Sequence, residues 1–336
     1  MAGSKKDVIV VGAGPAGLVA AICLNREGLN VVLHERQARV GGEPGWHPSV
    51  HGTPVDDPGL WDYIGIDCSE AFAEISLKNN VYVEGKLAGG MDLLMGQSAE
   101  GESGLRIWNT ERGHRETSLD SFLFRIAEKE GVNFEFNSPF KEDDILNAPA
   151  GTILATGLSP GMYKWLGMDW TVMSGYWAYS EIESDEVTAA AYLGKFTNEY
   201  GYAASMNGVW YVLLFARKEV APENLETFKR ILEECEGRTF DKWRTFAGQA
   251  PKEPRLYHKH LILTGTMGGF VEPAFSFGIT GAMLSGKISA MAVTDPEKAE
   301  REFKRFTGGI PAHTARKRKP GYVPSFKMGD IWFDIG

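Results

Sequence analysis

Val8-Ile9-Val10-Val11 is the first apolar run of the chain, four residues following a polar start. A short β-branched run ahead of a glycine turn predicts a strand buried in a parallel sheet. Leu18, Ala21, Ile22 and Leu24 then recur at helical spacing, and "NVVLHE" reads as a second strand ending at Glu35. This β-turn-α-β order returns in pieces much later. "AGTILATGLSPG" predicts a strand running into a small-residue turn, and "HLILTG" predicts another. "ITGAMLSGKISAMAV" then predicts a long apolar helix. Between them the pattern changes. "VTAAAYLGKFTNEYGYAASMNGVWYVLLFARKE" alternates, is rich in β-branched and aromatic residues, and holds Asn207-Gly208, a hairpin turn signal, between two such runs. "APENLETFKRILEECEG" predicts a helix with Pro222 at its start, Leu225, Phe228, Ile231 and Leu232 on one face, and Gly237 as its stop. The whole predicts an α/β protein with a Rossmann-like parallel sheet, helices on both faces, and an inserted antiparallel sheet.

Composition narrows the function. Acidic residues outnumber basic ones 44 to 35, a net charge of −9, which argues against a nucleic-acid surface. The local exception, "ARKRKP" at 315–320, is read as a solvated basic tail or as a contact for phosphate or anionic lipid. Cys23, Cys68 and Cys235 are too scattered for a disulfide framework or a zinc site, and no C-x-x-C exists. The polar "MAGSKKD" is not a signal peptide, and no apolar run approaches the roughly 20 residues that span a bilayer. The expectation is a soluble, cytoplasmic protein without a transmembrane segment.

The strongest chemical signal is the first turn. Gly12, Gly14 and Gly17 form G-x-G-x-x-G between strand and helix, with Ala13, Pro15 and Ala16 in the gaps. Gly12 permits the tight turn, Gly14 lets the backbone approach a pyrophosphate, and Gly17 lets helix and strand pack closely. The positive end of the helix receives the phosphates. Glu35, 18 positions beyond Gly17, is placed to accept hydrogen bonds from ribose hydroxyls. A carboxylate there suits FAD or NAD and repels the 2′-phosphate of NADP.

The continuation Glu35-Arg36 followed by Gly41-Gly42 resembles FAD-binding proteins more than NAD dehydrogenases, and Ala155-Thr156-Gly157 resembles the A-T-G turn of FAD-dependent oxidoreductases. "HLILTGTMGGFVEPAFSFGITGAM" (260–283) is similar to the G-D-A-A-G…P…G-I segment of aromatic-hydroxylase-type flavoproteins (the para-hydroxybenzoate hydroxylase-like superfamily). Within that superfamily it most resembles the geranylgeranyl reductase family. The resemblance implies that Gly265, Thr266, Gly269, Pro273, Gly278 and Ile279 hold the ribityl-pyrophosphate, so that two distant glycine runs are halves of one FAD site. It implies that Arg115, ahead of Leu119, Asp120 and Leu123, contacts the cofactor, with Arg112 close by. It implies domains in pieces: 1–45, 105–160 and 255–310 for FAD, 46–104 and 161–254 for substrate, and 311–336 packing on the body or on a partner, which leaves a homo-oligomer open. Thr266 stands where the family has an aspartate. Thr can donate or accept one hydrogen bond but carries no charge, so weaker FAD binding is expected.

On the substrate side, Tyr200, Gly201 and Tyr202 match the family's Y-G-Y, while the Trp and Phe-Pro that follow it are missing. The family's substrate therefore does not carry over. His47 and His51 form H-x-x-x-H, but Pro48 and Gly52 predict a loop, which excludes a metal-binding helix. Such histidines either lie at the surface or serve a flavin as proton source, and His47, His51 and Tyr202 are the proton-donor candidates. Trp46, Trp177, Tyr200, Tyr202 and Ser205 are candidate substrate contacts. The aromatic and Met-rich stretch 162–179 fits a flat apolar pocket, core, or subunit interface. With no second G-x-G-x-x-G, reductant must come as NAD(P)H in the cleft or from an external electron carrier. The expected activity is an FAD-dependent reductase passing hydride to a C=C of a small apolar or aromatic-like compound. The alternatives are a flavin monooxygenase that hydroxylates an aromatic ring and a non-catalytic flavin-binding protein. The short chain tilts the expectation to the reductase.

Overall fold

The computed structural model describes residues 7–42, 47–75, 78–90, 105–159, 161–273 and 275–317. Three sheets organise them. The first has six strands in the order Tyr257–His258, Leu261–Leu263, Ile153–Leu154, Asp7–Val11, Asn30–His34, Asn133–Glu135. All neighbours are parallel except the short Tyr257–His258 edge. Asp7–Val11 is thus central, as its apolar run predicts, and the chain changes direction across the sheet between it and Ile153–Leu154. In an open parallel sheet a ligand lies at this point, beyond the strands' carboxyl ends.

Helix Pro15–Arg26 covers this sheet beside the late helix Ile279–Thr294, both apolar almost throughout. Gly286 makes their approach possible. A Cβ there would stand 2.6 Å from the Ala16 carbonyl oxygen and 2.9 Å from Val19 Cβ. Two segments more than 250 positions apart in the chain therefore lie backbone to side chain.

The second sheet has seven strands in the order Arg244–Pro251, Trp170–Glu181, Val209–Ala216, Tyr200–Met206, Thr188–Leu193, Lys78–Val83, Lys86–Gly90. It is antiparallel except where Thr188–Leu193 meets Lys78–Val83. The predicted hairpin closes at Asn207 (φ 52°) and Gly208 (φ 71°), both left-handed as a two-residue turn of this hand requires. Helix Pro222–Glu236 packs Phe228 into the outer face of this sheet and ends at left-handed Gly237, as its sequence predicts.

The third sheet, Ser49–Asp56, Leu105–Arg112, Phe72–Glu74, packs on the seven-stranded sheet and on the late helix Ile279–Thr294. It joins strands from both sides of the expected boundary at 104/105. It corrects the loop expected around His51, since Ser49–Asp56 is extended and fully paired with Leu105–Arg112. Gly52 serves here as a close-approach position. A Cβ on it would lie 2.7 Å from the Tyr202 hydroxyl. Asn109 ties the third sheet to the large one by donating to the Thr188 and Ser205 carbonyls, and Thr280 ties it to the late helix by donating to the Pro54 carbonyl.

Candidate functional site

A cavity of about 280 Å³ opens where the three sheets meet. One wall starts at the first turn. Gly12 has φ 105°, and a Cβ there would lie 2.5 Å from the Ala155 carbonyl oxygen; one on Gly17 would lie 1.9 Å from the Gly12 carbonyl oxygen. Gly14 is the opposite case. Its nearest neighbour would be Arg112 Nη2 at 3.9 Å, so the backbone is bare toward the cavity. Gly14, Pro15 and Ala16 line it, with the helix starting at Pro15. The turn is thus locked at two glycines and open at the third, as a pyrophosphate requires.

Ala13 lies buried beside it, and its N–H donates to Glu35 Oε2 at 2.9 Å. Gln37 N–H donates to Oε1 of the same carboxylate at 2.9 Å. Two backbone donors therefore fix the carboxylate at the end of the second strand, and its remaining lone pairs are free to accept from ligand hydroxyls.

The second glycine run arrives against the first. Gly265 (φ 60°) would bring a Cβ to 3.1 Å from Ala16 Cβ, and its N–H donates to Ser285 Oγ. Residues Gly265–Gly268 form one short turn that ends at left-handed Gly269. Thr264, Gly265, Thr266, Gly278 and Ile279 line the cavity together with Ala155 and Gly157. Pro273 is buried and is not among the lining residues.

Arg112 completes this wall. It forms a fork with the buried Asp120, through Nε at 2.6 Å and Nη2 at 2.8 Å, and Gly113 N–H adds a third bond to that carboxylate. Burial alone would raise the Asp120 pKa, but the Arg112 charge and these hydrogen bonds win, and the carboxyl stays below its ordinary range. Arg112 is thereby aimed at the cavity. Arg115, the residue singled out in the sequence, faces elsewhere. It donates to the Asn207 carbonyl, pairs with Glu111 at 3.3 Å, and is not among the lining residues.

Arg36 is exposed. Gly41 backs onto Gly113, whose carbonyl oxygen would lie 2.0 Å from an added Cβ, and Gly42 sits beside His47. Trp46 lies outside the described residues.

The opposite wall is apolar. Met173, Tyr200, Tyr202 and Leu213 project from the seven-stranded sheet, and Leu158, Val271 and Phe277 close the sides. Burial pushes both tyrosine hydroxyls well above their ordinary pKa, so they stay protonated. Tyr202 donates to Asn109 Oδ1 at 3.3 Å. Two expected contacts are placed elsewhere. Ser205 is used up within the sheet, bonding Thr188 Oγ1 and the Glu186 carbonyl. Trp177 packs in the core against Tyr179 and Tyr211, with Arg244 over its ring. The 162–179 stretch is therefore mixed, with Met173 at the cavity and Met162, Tyr163 and Trp177 in core.

His51 lines the cavity, and His47 follows behind it through Ser49. His47 Nδ1 lies 2.8 Å from Ser49 Oγ, which lies 2.9 Å from His51 Nε2. Desolvation, reinforced by the Arg112 charge, lowers the His47 pKa to about 4 and the His51 pKa to about 3. Both rings are neutral at physiological pH.

These residues fit a dinucleotide. Thr156 Oγ1 and Thr264 Oγ1, at the ends of adjacent parallel strands, are buried and make no hydrogen bond. Such groups are rare unless a ligand or water completes them. Thr264, Ser49 and Gly286 were not singled out in the sequence. Only the small-residue pattern of the late helix could have pointed to Gly286.

Residues 7–45 match the model of the FAD dependent oxidoreductase family. Putrescine oxidase of Kocuria rosea is 46% identical over 57 residues, 17% of this chain, and the match spans only 12% of that enzyme. Among solved structures, a geranylgeranyl bacteriochlorophyll reductase-like protein of Thermoplasma acidophilum superimposes with a TM-score of 0.64 at 17% identity, over 93% of this chain and 84% of its own. A mutant of 2-methyl-3-hydroxypyridine-5-carboxylic acid oxygenase gives 0.61 at 15% identity, over 96% and 95%. This chain has their fold. Residues 7–45 thus match FAD-dependent oxidoreductases in sequence, and 93–96% of the chain matches a reductase-like protein and an oxygenase in shape. Among the described residues no helix is long and apolar enough to cross a membrane.

Proposed function

We propose that this chain is an FAD-dependent oxidoreductase that reduces a C=C of a small apolar or aromatic-like molecule in the cavity. The observation that carries this reading is the cavity's two-sided build. A bare glycine backbone, Arg112 and the unpartnered Thr264 hydroxyl face an apolar sheet across it.

In this reading segments 1–45, 105–160 and 255–310 form the FAD-binding part, and 46–104 and 161–254 the substrate part. Gly14 and the helix start hold the pyrophosphate, with Arg112 beside them in place of Arg115. Glu35 holds the ribose, and the Gly265–Gly268 turn with Thr156 and Thr264 holds the ribityl chain. The bound cofactor supplies two-electron transfer from its reduced ring. The protein's own part is to exclude water with Met173, Leu213 and Phe277, to orient a flat substrate on Tyr200 and Tyr202, and to place a proton source at His51. Reductant enters as NAD(P)H through the same cleft or as electrons from a carrier protein, and the setting is the cytoplasm.

A monooxygenase is the second reading, motivated by the near-complete overlap with the oxygenase fold. Anaerobic reduction of the FAD-loaded protein, followed by air, separates the two. Slow recovery of the oxidised spectrum without substrate supports the reductase. Recovery faster than free reduced flavin overturns it in favour of oxygen chemistry.

A further inference from the structure

The alternation of the Ser49–Asp56 strand puts Ser49 and His51 on one side of it, and His47, just ahead of the strand, extends the same row. Their polar atoms form one continuous chain, His47 Nδ1 to Ser49 Oγ to His51 Nε2, with links of 2.8 and 2.9 Å. One end is His51 at the cavity wall. The other is His47, half-buried beside the Gly41-Gly42 turn, outside the lining. Ser49 itself is buried, and both of its bonds go to the two histidines. A buried serine between two imidazoles has no packing task that alanine would not serve. We infer that His47, Ser49 and His51 form a proton relay that delivers a proton to the molecule reacting in the cavity. This rests on the oxidoreductase reading above.

At rest His51 carries its proton on Nδ1, Ser49 donates its hydroxyl proton to His51 Nε2, and His47 Nδ1–H donates to Ser49 Oγ. When the reacting molecule takes the proton from His51 Nδ1, the Ser49 proton moves to His51 Nε2. The His47 Nδ1 proton moves to Ser49 Oγ, and water supplies a proton to His47 Nε2. One proton enters, one leaves, and no imidazolium persists. The charges around the chain oppose a standing cation. Arg112 and His114 act on His47, Arg112 and His47 act on His51, and only Asp120, already bound to Arg112, offsets them. Relay through neutral rings avoids the cost. His51 is the catalytic residue in this account, and Ser49 and His47 are positioning residues that act through it.

The test uses the full chain loaded with FAD, reduced anaerobically by light and mixed with oxygen. Oxygen needs two electrons and two protons to become hydrogen peroxide; the reduced cofactor carries one proton and the relay brings the other. Ser49→Ala should slow reoxidation about tenfold and Ser49→Thr, which keeps the hydroxyl, should restore it. Added imidazole should partly rescue Ser49→Ala, which a merely structural defect would not permit. The wild type should react more slowly in D2O, and Ser49→Ala should change that isotope effect. A second readout needs no cofactor. In ring-nitrogen NMR spectra, Ser49→Ala should move the resonances of both His47 and His51 and leave the other histidines in place. Wild-type reoxidation rates in Ser49→Ala, slowing that neither threonine nor imidazole reverses, or movement of one ring only would overturn the relay. A chain that takes up no FAD overturns the reading beneath it, and the missing visible bands mark that case.

Discussion

The two walls of the cavity are built by different means. On the parallel-sheet side the shape is set by the backbone. Gly12, Gly17, Gly41 and Gly286 each stand where a Cβ would enter another residue's backbone or Cβ, and Gly14 is left open for the ligand. On the antiparallel side the shape is set by side chains, with Met173, Tyr200, Tyr202 and Leu213 standing off a regular sheet. A backbone site tolerates almost no change, because only glycine fits. A side-chain site can be rebuilt without disturbing the sheet beneath it. The first kind suits a cofactor and the second a substrate.

The contrast is tested most severely at Gly17. Gly17→Val should cost roughly 4 kcal/mol or more and abolish FAD uptake, because its Cβ would fall on the Gly12 carbonyl; thermal unfolding and an FAD titration read both effects. Asp120→Ala comes next. It leaves Arg112 without its partner and should cost about 3 kcal/mol in urea unfolding, with weaker FAD binding as the fork loses its aim. If Asp120→Ala binds FAD as the wild type does, Arg112 does not serve the cofactor.

Acid should discriminate the third sheet from both walls. His47 and His51 have folded-state pKa values of about 4 and about 3, below the ordinary 6.5. The unfolded chain therefore takes up protons first. Their contribution is fully present above pH 6.5 and is lost as the pH falls toward those folded values. His51→Gln should flatten that part of the stability profile. Asp120 adds a second loss below the ordinary carboxylate range, since its folded pKa is lowered.

Smaller effects are expected at single polar groups on either wall. Thr266→Asp restores a carboxylate to the late turn and should tighten FAD about tenfold, or about 1.4 kcal/mol, in a fluorescence titration. Tyr200→Phe, on the antiparallel-sheet wall, should change stability by less than about 1 kcal/mol and leave FAD affinity as it was. An equal loss of FAD affinity in Tyr200→Phe and Asp120→Ala would erase the distinction between the walls.

The same distinction explains what could be read in the sequence. The Gly12–Gly17 turn, Glu35 and the late glycine run were legible because glycine at fixed spacing marks a backbone constraint, and such constraints are local. The antiparallel sheet was legible from alternation and from Asn207-Gly208. Arg112 was not separable from Arg115, because which of two arginines turns inward depends on Asp120, across a turn the sequence does not orient. His51 was expected in a loop because Pro48 and Gly52 usually break strands. Pairing with Leu105–Arg112 and the close approach of Tyr202 override that local preference. Ser205 and Trp177 were expected at the substrate, but strand parity and packing turn them into sheet and core.

The most direct measurement is a titration of the purified protein with FAD, followed by visible absorption and flavin fluorescence. One FAD per chain, bound with a perturbed spectrum and lost in Gly17→Val, is the predicted result. No uptake of FAD, or tight binding of NADP(H) in its place, would contradict the account of the cavity.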